Sequence, residues 1–449
     1  MTETQYRLFL KQLRNAYENS AFYRQKFTDC GLLPEDIKSP EDIKKIPFTD
    51  KTDLRKAYPL GLMAVPEERI VRIHSTSGTT GDPVIIPYTA QDVADWCEMF
   101  KRCYEIAGVT AADRVQITPG FGLWTAGIGF QTGCEALGAM AVPMGPGNTE
   151  KQLKMMVDMK TTVLGSTSSY ALLLAEQVQE RGLLESLALK KGIIGSERWS
   201  DKMRKRIREG LDIELFDIYG LTEIYGPGIS IDCGQHSGLH YFDDFLYFEI
   251  IDPETGENVP DGAYGEIAIT TLRKEGAPLL RYRTHDMSRL LPGKCACGRT
   301  YPRHDRILGR TDDVVKVKGV NIHPSQIDIL LKGVEGVSSE YMVSLTKEGS
   351  KDKMILRFEA EEGADLRGLE QLVGHAFKQR IGIRINVEAV PLGALPRSEK
   401  KTKRIHDCLL YTSHGISGKQ GIYRRGWSRF PVLLYNESCN AIPCNSQSM

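Results

Sequence analysis

Between about residue 70 and residue 230, short apolar runs alternate with amphipathic stretches, and this alternation limits the available folds more than any other feature of the chain. VQITP, AMAVPM, TTVLGS, GIIGS and IELFDIYG read as buried strands. ADWCEMFKRCYEI, EKQLKMMVDMK, YALLLAEQVQERG and DKMRKRIREG read as helices between them. Strands that alternate with helices predict an α/β layered domain with much parallel sheet.

The flanking regions have a different texture. Residues 1 to about 70 read as helical, with Leu8, Leu10, Leu13 and Tyr17 near helical spacing, followed by the Pro- and Gly-punctuated connection IPFTDKTDLRKAYPLGL. From about 239 to 308 strands and turns dominate. LYFEIID and EIAITTL flank a turn-rich loop, and a further hairpin is expected around LPGKCACGRT. From about 310 to 405 a smaller α+β unit is expected, with VVKVKGV, EYMVSL, KMILRFEA and RINVEAV as strands. The expected division is therefore 1–309, 310–407 and a tail, 408–449. The tail holds about five charged residues and no sustained period, and reads as disordered or foreign to the rest of the chain.

Composition excludes several classes. The 58 basic and 58 acidic side chains balance to zero, which gives no reason to expect a nucleic-acid or membrane-surface binder. No apolar run approaches the ~18 residues of a membrane span. The amphipathic, charged start does not have the layout of a secretory signal, so a cytoplasmic location is expected. There the ten cysteines read as thiols or metal ligands rather than disulfides.

Four motifs carry chemistry. Ser75-Thr-Ser-Gly-Thr-Thr-Gly-Asp-Pro83 follows the apolar IVRIH. Its glycines let backbone N–H groups approach a polyphosphate and its hydroxyls donate to phosphate oxygens, although the ordinary P-loop pattern is absent. Asp217-Ile-Tyr219-Gly220-Leu-Thr222-Glu223 combines an aromatic, a hydroxyl and a carboxylate able to stack on a purine, reach phosphate and hold Mg2+. In Arg281-Tyr-Arg-Thr-His-Asp286 and Gly309-Arg310-Thr-Asp312-Asp313, Asp286 is a candidate acceptor for ribose hydroxyls and Arg310 a nucleotide contact. The fourth is the basic loop Pro396-Arg-Ser-Glu-Lys400-Lys401-Thr-Lys403. Each of the last three, taken alone, is as well explained by core packing, surface ion pairing or a solvated loop.

Together, and in this order, the motifs resemble the adenylate-forming superfamily of acyl-CoA ligases, and most closely its phenylacetate–CoA ligases, over residues 5 to 407. The resemblance rests on STSGTTGDP, GSERW at 195–199, DIYGLTEIYGPG at 217–228, IIDPETGE at 250–257, RYRTHD at 281–286, GRTDDVVKVKGVNIHPSQI from Gly309, and LPRSEKKTKR at 395–404. It implies a large N-terminal adenylation domain with layered sheets and helices plus a β-rich subdomain, and a small, mobile α+β C-terminal domain. It implies an enzyme that joins phenylacetate or a related arylacetate to CoA through an acyl-adenylate, with ATP, CoA and the acid as small-molecule partners and Mg2+ as cofactor. A homodimer is compatible with it.

By position in the family's motifs, Ser77, Gly78, Thr79, Thr80 and Gly81 embrace the β- and γ-phosphates. Gly195, Ser196, Glu197, Asp217 and Tyr219 surround adenine, and Gly220 belongs to the ATP site. Thr222 touches the α-phosphate, Glu223 holds Mg2+, Asp286 binds ribose, Asp312 is the hinge of the small domain, and Lys401 reaches the carboxylate and α-phosphate. Two departures stand out: Val84 replaces the superfamily's lysine after Pro83, and Lys400 replaces the glycine before the catalytic lysine. The choice between Lys400 and Lys401 therefore rests on spacing from Pro396. Phe121, Trp124 and Gly127, on a loop after VQITP, match the segment beside the aryl pocket, where rings supply apolar area and glycines leave room. Ordinary core aromatics are the competing reading.

Cys295-Ala-Cys297, with Cys233 and His240, forms a Cys3His set suited to structural Zn2+, with His236 as a competing ligand and unligated thiols as the alternative. Cys30, Cys97, Cys103 and Cys134 read as small core or near-surface residues. Two rivals remain: an adenylyltransferase of the same fold that moves AMP to an acceptor, as in the related coenzyme F390 synthetases, and a non-catalytic nucleotide-binding or scaffold protein.

Overall fold

The computed structural model describes residues 1–76, 83–317, 320–348, 351–398 and 404–407. Ser77, Gly78, Thr79, Thr80 and Gly81, both Lys400 and Lys401, and residues 408–449 lie outside the described residues.

The alternation between 70 and 230 becomes a parallel sheet. Its strands lie in the order Met140–Pro143, Arg114–Ile117, Val163–Thr167, Lys191–Gly195 and Glu214–Leu221. The helices Thr125–Leu137, Thr149–Asp158, Ser168–Glu180 and Asp201–Leu211 make the crossovers. Polar residues start these helices: Asn148, Thr167 and Ser200 each accept a hydrogen bond from a backbone N–H of the first turn. Successive strand residues point to opposite faces. Val163, Ile193 and Phe216 join one core with Phe100, Tyr104 and Phe130, while Leu164, Ile194 and Leu215 join another with Met156, Leu174 and Ile207. Burial on both faces explains why the strands read as continuous apolar runs.

The β-rich region is not wholly separate from this sheet. After Leu221 the chain turns back with no intervening helix, so Gly226–Asp232 pairs antiparallel with Glu214–Leu221. Leu239–Tyr241, Arg303–His304 and Leu290–Leu291 then add in antiparallel fashion, giving nine strands among the described residues. The hairpin expected around LPGKCACGRT is the last pair, with the cysteines in its loop. A second, antiparallel sheet holds Leu246–Ile251, Gly265–Thr271, Tyr282–Ser288 and Gly309–Arg310. The C-terminal unit places the paired strands Val337–Glu348 and Lys351–Ala360 between Ile405–Asp407 and Asn386–Val390, with helices Pro324–Lys332 and Leu366–Ile381.

The N-terminal helix Glu3–Asn19 forms as expected; Gln5, Phe9, Gln12, Leu13 and Ala16 are buried, and Leu8, Leu10 and Tyr17 pack partly buried against the same core. Two glutamines can be buried because their amides donate to the carbonyls of Asp243 and Lys274. The following segment is held by Arg281, whose guanidinium donates to the carbonyls of Lys44 and Ile46 and forms a two-point pair with Glu249, both groups being buried. Glu249→Ala would leave that guanidinium buried and unpaired. We expect a loss of about 3–5 kcal/mol in unfolding free energy by urea titration, against little change for a substitution at exposed Glu68.

Candidate active site

Thr222 and Glu223 sit where the last parallel strand turns into the antiparallel half of the sheet. Crevices at the carboxyl ends of parallel strands are the usual ligand sites of such sheets. Gly220 makes the turn feasible, since a Cβ there would lie 1.9 Å from the carbonyl oxygen of Gly226. The Thr222 hydroxyl meets that of Thr125, the first residue of its helix, at 3.1 Å. Glu223 is buried, and Lys51 Nζ lies 3.4 Å from its carboxylate.

Beside this turn, Asp286 is buried and contacted on both oxygens. Tyr219 donates its hydroxyl to Oδ2 at 2.8 Å, and Arg310 Nη1 donates to Oδ1 at 3.2 Å. Arg310 also grips Asp312 through Nε and Nη2, each at 2.8 Å. Burial pushes the Asp286 carboxyl up to about 6, with Arg310 and the Tyr219 hydroxyl opposing it. Thus Tyr219 is engaged at both ends: its ring meets His304 edge-on and its hydroxyl is committed to Asp286.

Gly195 ends its strand so close to the next that a Cβ would lie 2.3 Å from the Ile218 oxygen, and Ser196 takes a left-handed φ of +69°. Glu197 accepts from Ser168 Oγ and the Ser169 backbone, both at 3.0 Å, and so braces the start of the Ser168–Glu180 helix. Asp217 is paired with Arg204 at 3.2 Å, and burial pushes its carboxyl up to about 6 against that partner.

Phe121 and Trp124 are 36% and 40% exposed, so they are not core aromatics. Gly127 works differently from the expected space-maker. Its N–H bonds the Gly120 carbonyl at 2.9 Å, and a Cβ would strike that oxygen at 2.7 Å and Phe121 Cγ at 2.9 Å. The glycine lets the aromatic loop close down on its helix. Buried His74 holds the same loop from the other side, its Nδ1 3.1 Å from the Leu123 carbonyl. Burial drops the imidazole to about 4, which keeps it neutral near pH 7.

Sequence reasoning had no reading for Lys51, Thr125 or His74. Lys51 lies in a stretch marked only as a connection. The available signal is Asp50, which caps the helix Lys51–Lys56 by accepting from Asp53 N and so sets the direction of its first residue. Thr49, just before it, is bonded to the backbone of Arg281 and Arg283, which carries that helix to the mouth of the site.

A second cluster lies at the far end of the Gly226–Asp232 strand, about 20 Å along the sheet at ~3.4 Å per residue. One ligand atom each from Cys233, His240, Cys295 and Cys297 falls within 4.8 Å of the others. The Cys233 and Cys295 sulfurs are 3.7 Å apart, and Cys297 Sγ is 3.3 Å from His240 Nε2. His240 Nδ1 donates to the Tyr301 carbonyl, which turns the lone pair of Nε2 toward the cysteines. His236 is outside the cluster and bonds Asp232 at 3.0 Å.

Residues 30–272 match the family described as AMP-binding enzyme, and residues 319–408 match the AMP-binding enzyme C-terminal domain. The phenylacetate–coenzyme A ligase of Pseudomonas putida is 40% identical over 88% of this chain and 91% of its own length. That of Escherichia coli strain K12 is 39% identical over 88% and 92%. A solved 2-hydroxyisobutyryl-CoA ligase in its postadenylation state, bound to an acyl-AMP, superposes with a TM-score of 0.81 at 28% identity over 91% and 90% of the two chains. The same ligase in its thioesterification state gives 0.66. The fold is that of the adenylate-forming enzymes. Within them, the chain belongs to the phenylacetate–coenzyme A ligase family.

Burial raises the Asp286 carboxyl to about 6, so, on the expectation that this carboxylate accepts from ribose hydroxyls, ATP binding should weaken as pH falls through 6. Calorimetric titration of ATP across pH 5–8 checks this. Tyr219→Phe, which removes a donor, should move the midpoint upward, and Asp286→Asn should bind weakly at every pH.

Proposed function

We propose that the chain is an AMP-forming acid–thiol ligase that joins phenylacetate, or a close arylacetate, to CoA in the cytoplasm. The observation that carries this reading is the junction itself: Thr222 and Glu223, held by Thr125 and Lys51, beside the Tyr219–Asp286–Arg310 group. A hydroxyl, a carboxylate and a cation for the phosphates thus stand next to a carboxylate suited to ribose hydroxyls. Family membership and the half-exposed Phe121 and Trp124 support the aryl acid.

In the first step the substrate carboxylate attacks the α-phosphorus of ATP and pyrophosphate leaves. In the second, the CoA thiol attacks the acyl carbon, loses its proton, and AMP leaves. Both reactants in the first step are anions, so developing charge must be met by fixed donors. In this reading Thr222 contacts the α-phosphate, and Ser77, Gly78, Thr79, Thr80 and Gly81 hold the outer phosphates. Gly195, Ser196, Glu197, Asp217 and Tyr219 frame adenine, with Asp217 acting from its pair with Arg204, and Gly220 belongs to the ATP site. Asp286 holds ribose, with Arg310 completing the nucleotide contacts. Lys401, rather than Lys400, neutralises the attacked α-phosphate. Glu223 would hold Mg2+, which when bound offsets phosphate charge. Residues 310–407 act as a mobile domain turning at Asp312.

The Cys233, His240, Cys295 and Cys297 cluster suits structural Zn2+. Thiolates at ~2.3 Å from a tetrahedral zinc lie about 3.8 Å apart, close to the 3.7 Å between Cys233 and Cys295. These residues would hold the ion far from the chemistry, tying the Gly226–Asp232 and Leu239–Tyr241 strands to the hairpin loop.

Phenylacetate should support ATP–pyrophosphate exchange and CoA thioester formation with a higher kcat/KM than octanoate. Lys401→Ala should lower exchange about 10²–10³-fold while sparing the thioester step. Equal or better kcat/KM for octanoate would remove the aryl assignment alone, and normal exchange in Lys401→Ala with loss in Lys400→Ala would shift the catalytic register by one residue.

Metal analysis of protein purified without chelator should find close to one equivalent of zinc, reduced in Cys295→Ser. Zinc-free, stably folded protein would refute the metal site.

A further inference from the structure

The segment that leads to Lys401 is fastened at Arg397, four positions earlier, by carboxylates from two different parts of the molecule. Glu359, fully buried in the Lys351–Ala360 strand, accepts from Arg397 Nη1 at 2.8 Å and Nη2 at 2.9 Å. It also accepts from the Leu395 N–H at 2.9 Å, so it anchors the segment within its own unit. Glu176, on the Ser168–Glu180 helix of the large N-terminal part, accepts from Arg397 Nε at 2.9 Å and Nη2 at 2.8 Å. One guanidinium thus uses both edges of its planar fork, a geometry that lysine cannot reproduce.

The other bonds crossing at this place are of the same kind. Arg206 reaches Glu176 at 2.6 Å on its own side and Ser339 Oγ at 3.0 Å across the gap. Lys202 donates to the Val334 carbonyl at 3.1 Å, and Lys332 pairs with Asp201. Charged groups that part into water are rehydrated, so such contacts can be made and released far more readily than buried apolar ones.

We propose that Arg397 is a positioning residue. Its pair with Glu176 docks the C-terminal unit on the Ser168–Glu180 helix for adenylation and must open for thioester formation, while its pair with Glu359 persists through both steps. This rests on the ligase reading above. It distinguishes two carboxylates that look equivalent around the same guanidinium: Glu176 should matter to one half-reaction, Glu359 to both.

Full-length wild type, Glu176→Gln, Arg397→Lys and Glu359→Gln would be compared in phenylacetate-dependent ATP–pyrophosphate exchange and in thioester formation from supplied phenylacetyl-adenylate and CoA. Thermal unfolding reports on folding. Glu176→Gln, at a half-buried site, should keep the wild-type Tm and lose exchange about tenfold, the scale of one charged hydrogen bond, with thioester formation unchanged or faster. Arg397→Lys should show the same split, and Glu359→Gln should lower both rates. Loss of both half-reactions in equal proportion in Glu176→Gln, or of neither, would overturn the proposal while wild-type exchange leaves the ligase reading intact. Wild type that exchanges with no arylacetate would overturn that reading and this inference with it.

Discussion

The site depends on one close backbone approach, that of Gly220 to Gly226. Any side chain at Gly220 would collide with the opposite strand at 1.9 Å, so only glycine lets the last parallel strand fold straight back on itself. That reversal ends the run of crossovers, starts the antiparallel half of the sheet, and leaves Thr222 and Glu223 in the turn. It also brings Trp96 and Thr125 against Gly226, where a Cβ would lie 2.6 Å and 2.7 Å from them. The Thr222–Glu223 turn and the aromatic loop are therefore parts of one packing arrangement, and a change in either is felt in the other.

Around this junction the charges are arranged in pairs whose loss would be costly. Asp286, Asp217 and Glu223 each sit in low-dielectric surroundings with a basic partner: Arg310, Arg204 and Lys51. Burial raises the carboxyl pKa of Asp286 and Asp217 to about 6, and the neighbouring guanidinium pulls each back. Such pairs taken whole contribute little to stability, although removing one partner strands the other charge. Their value is preorganisation, since a carboxylate already desolvated and oriented loses less on meeting a ligand. The polar seam between the Ser168–Glu180 and Asp201–Leu211 helices and the C-terminal unit follows the opposite logic, with charges placed where they can separate.

Much of this was legible in the sequence because local and global signals agree. The buried strands announce themselves as apolar runs, the amphipathic stretches between them form the crossover helices, and the Cys/His set closes into one cluster from three separated segments. What was not legible depends on long-range pairing. The burial of Gln5 and Gln12 on the first helix could not be read because they find carbonyl partners more than 200 residues away. Lys51 gains meaning only once Thr49 is bonded beside Arg281 and Arg283, and Gly127 is a point of loop contact rather than of empty space. No periodicity encodes such relations.

The central claim is that a carboxylate attacks the α-phosphorus of ATP at this junction. It is tested most directly with phenylacetate labelled with 18O in both carboxylate oxygens, supplied with ATP and CoA. Attack at the α-phosphorus leaves one carboxylate oxygen on phosphorus when the acyl group departs to CoA, so the AMP released should carry one 18O and the pyrophosphate none. Label in inorganic phosphate, with ADP as the nucleotide product, would contradict the account.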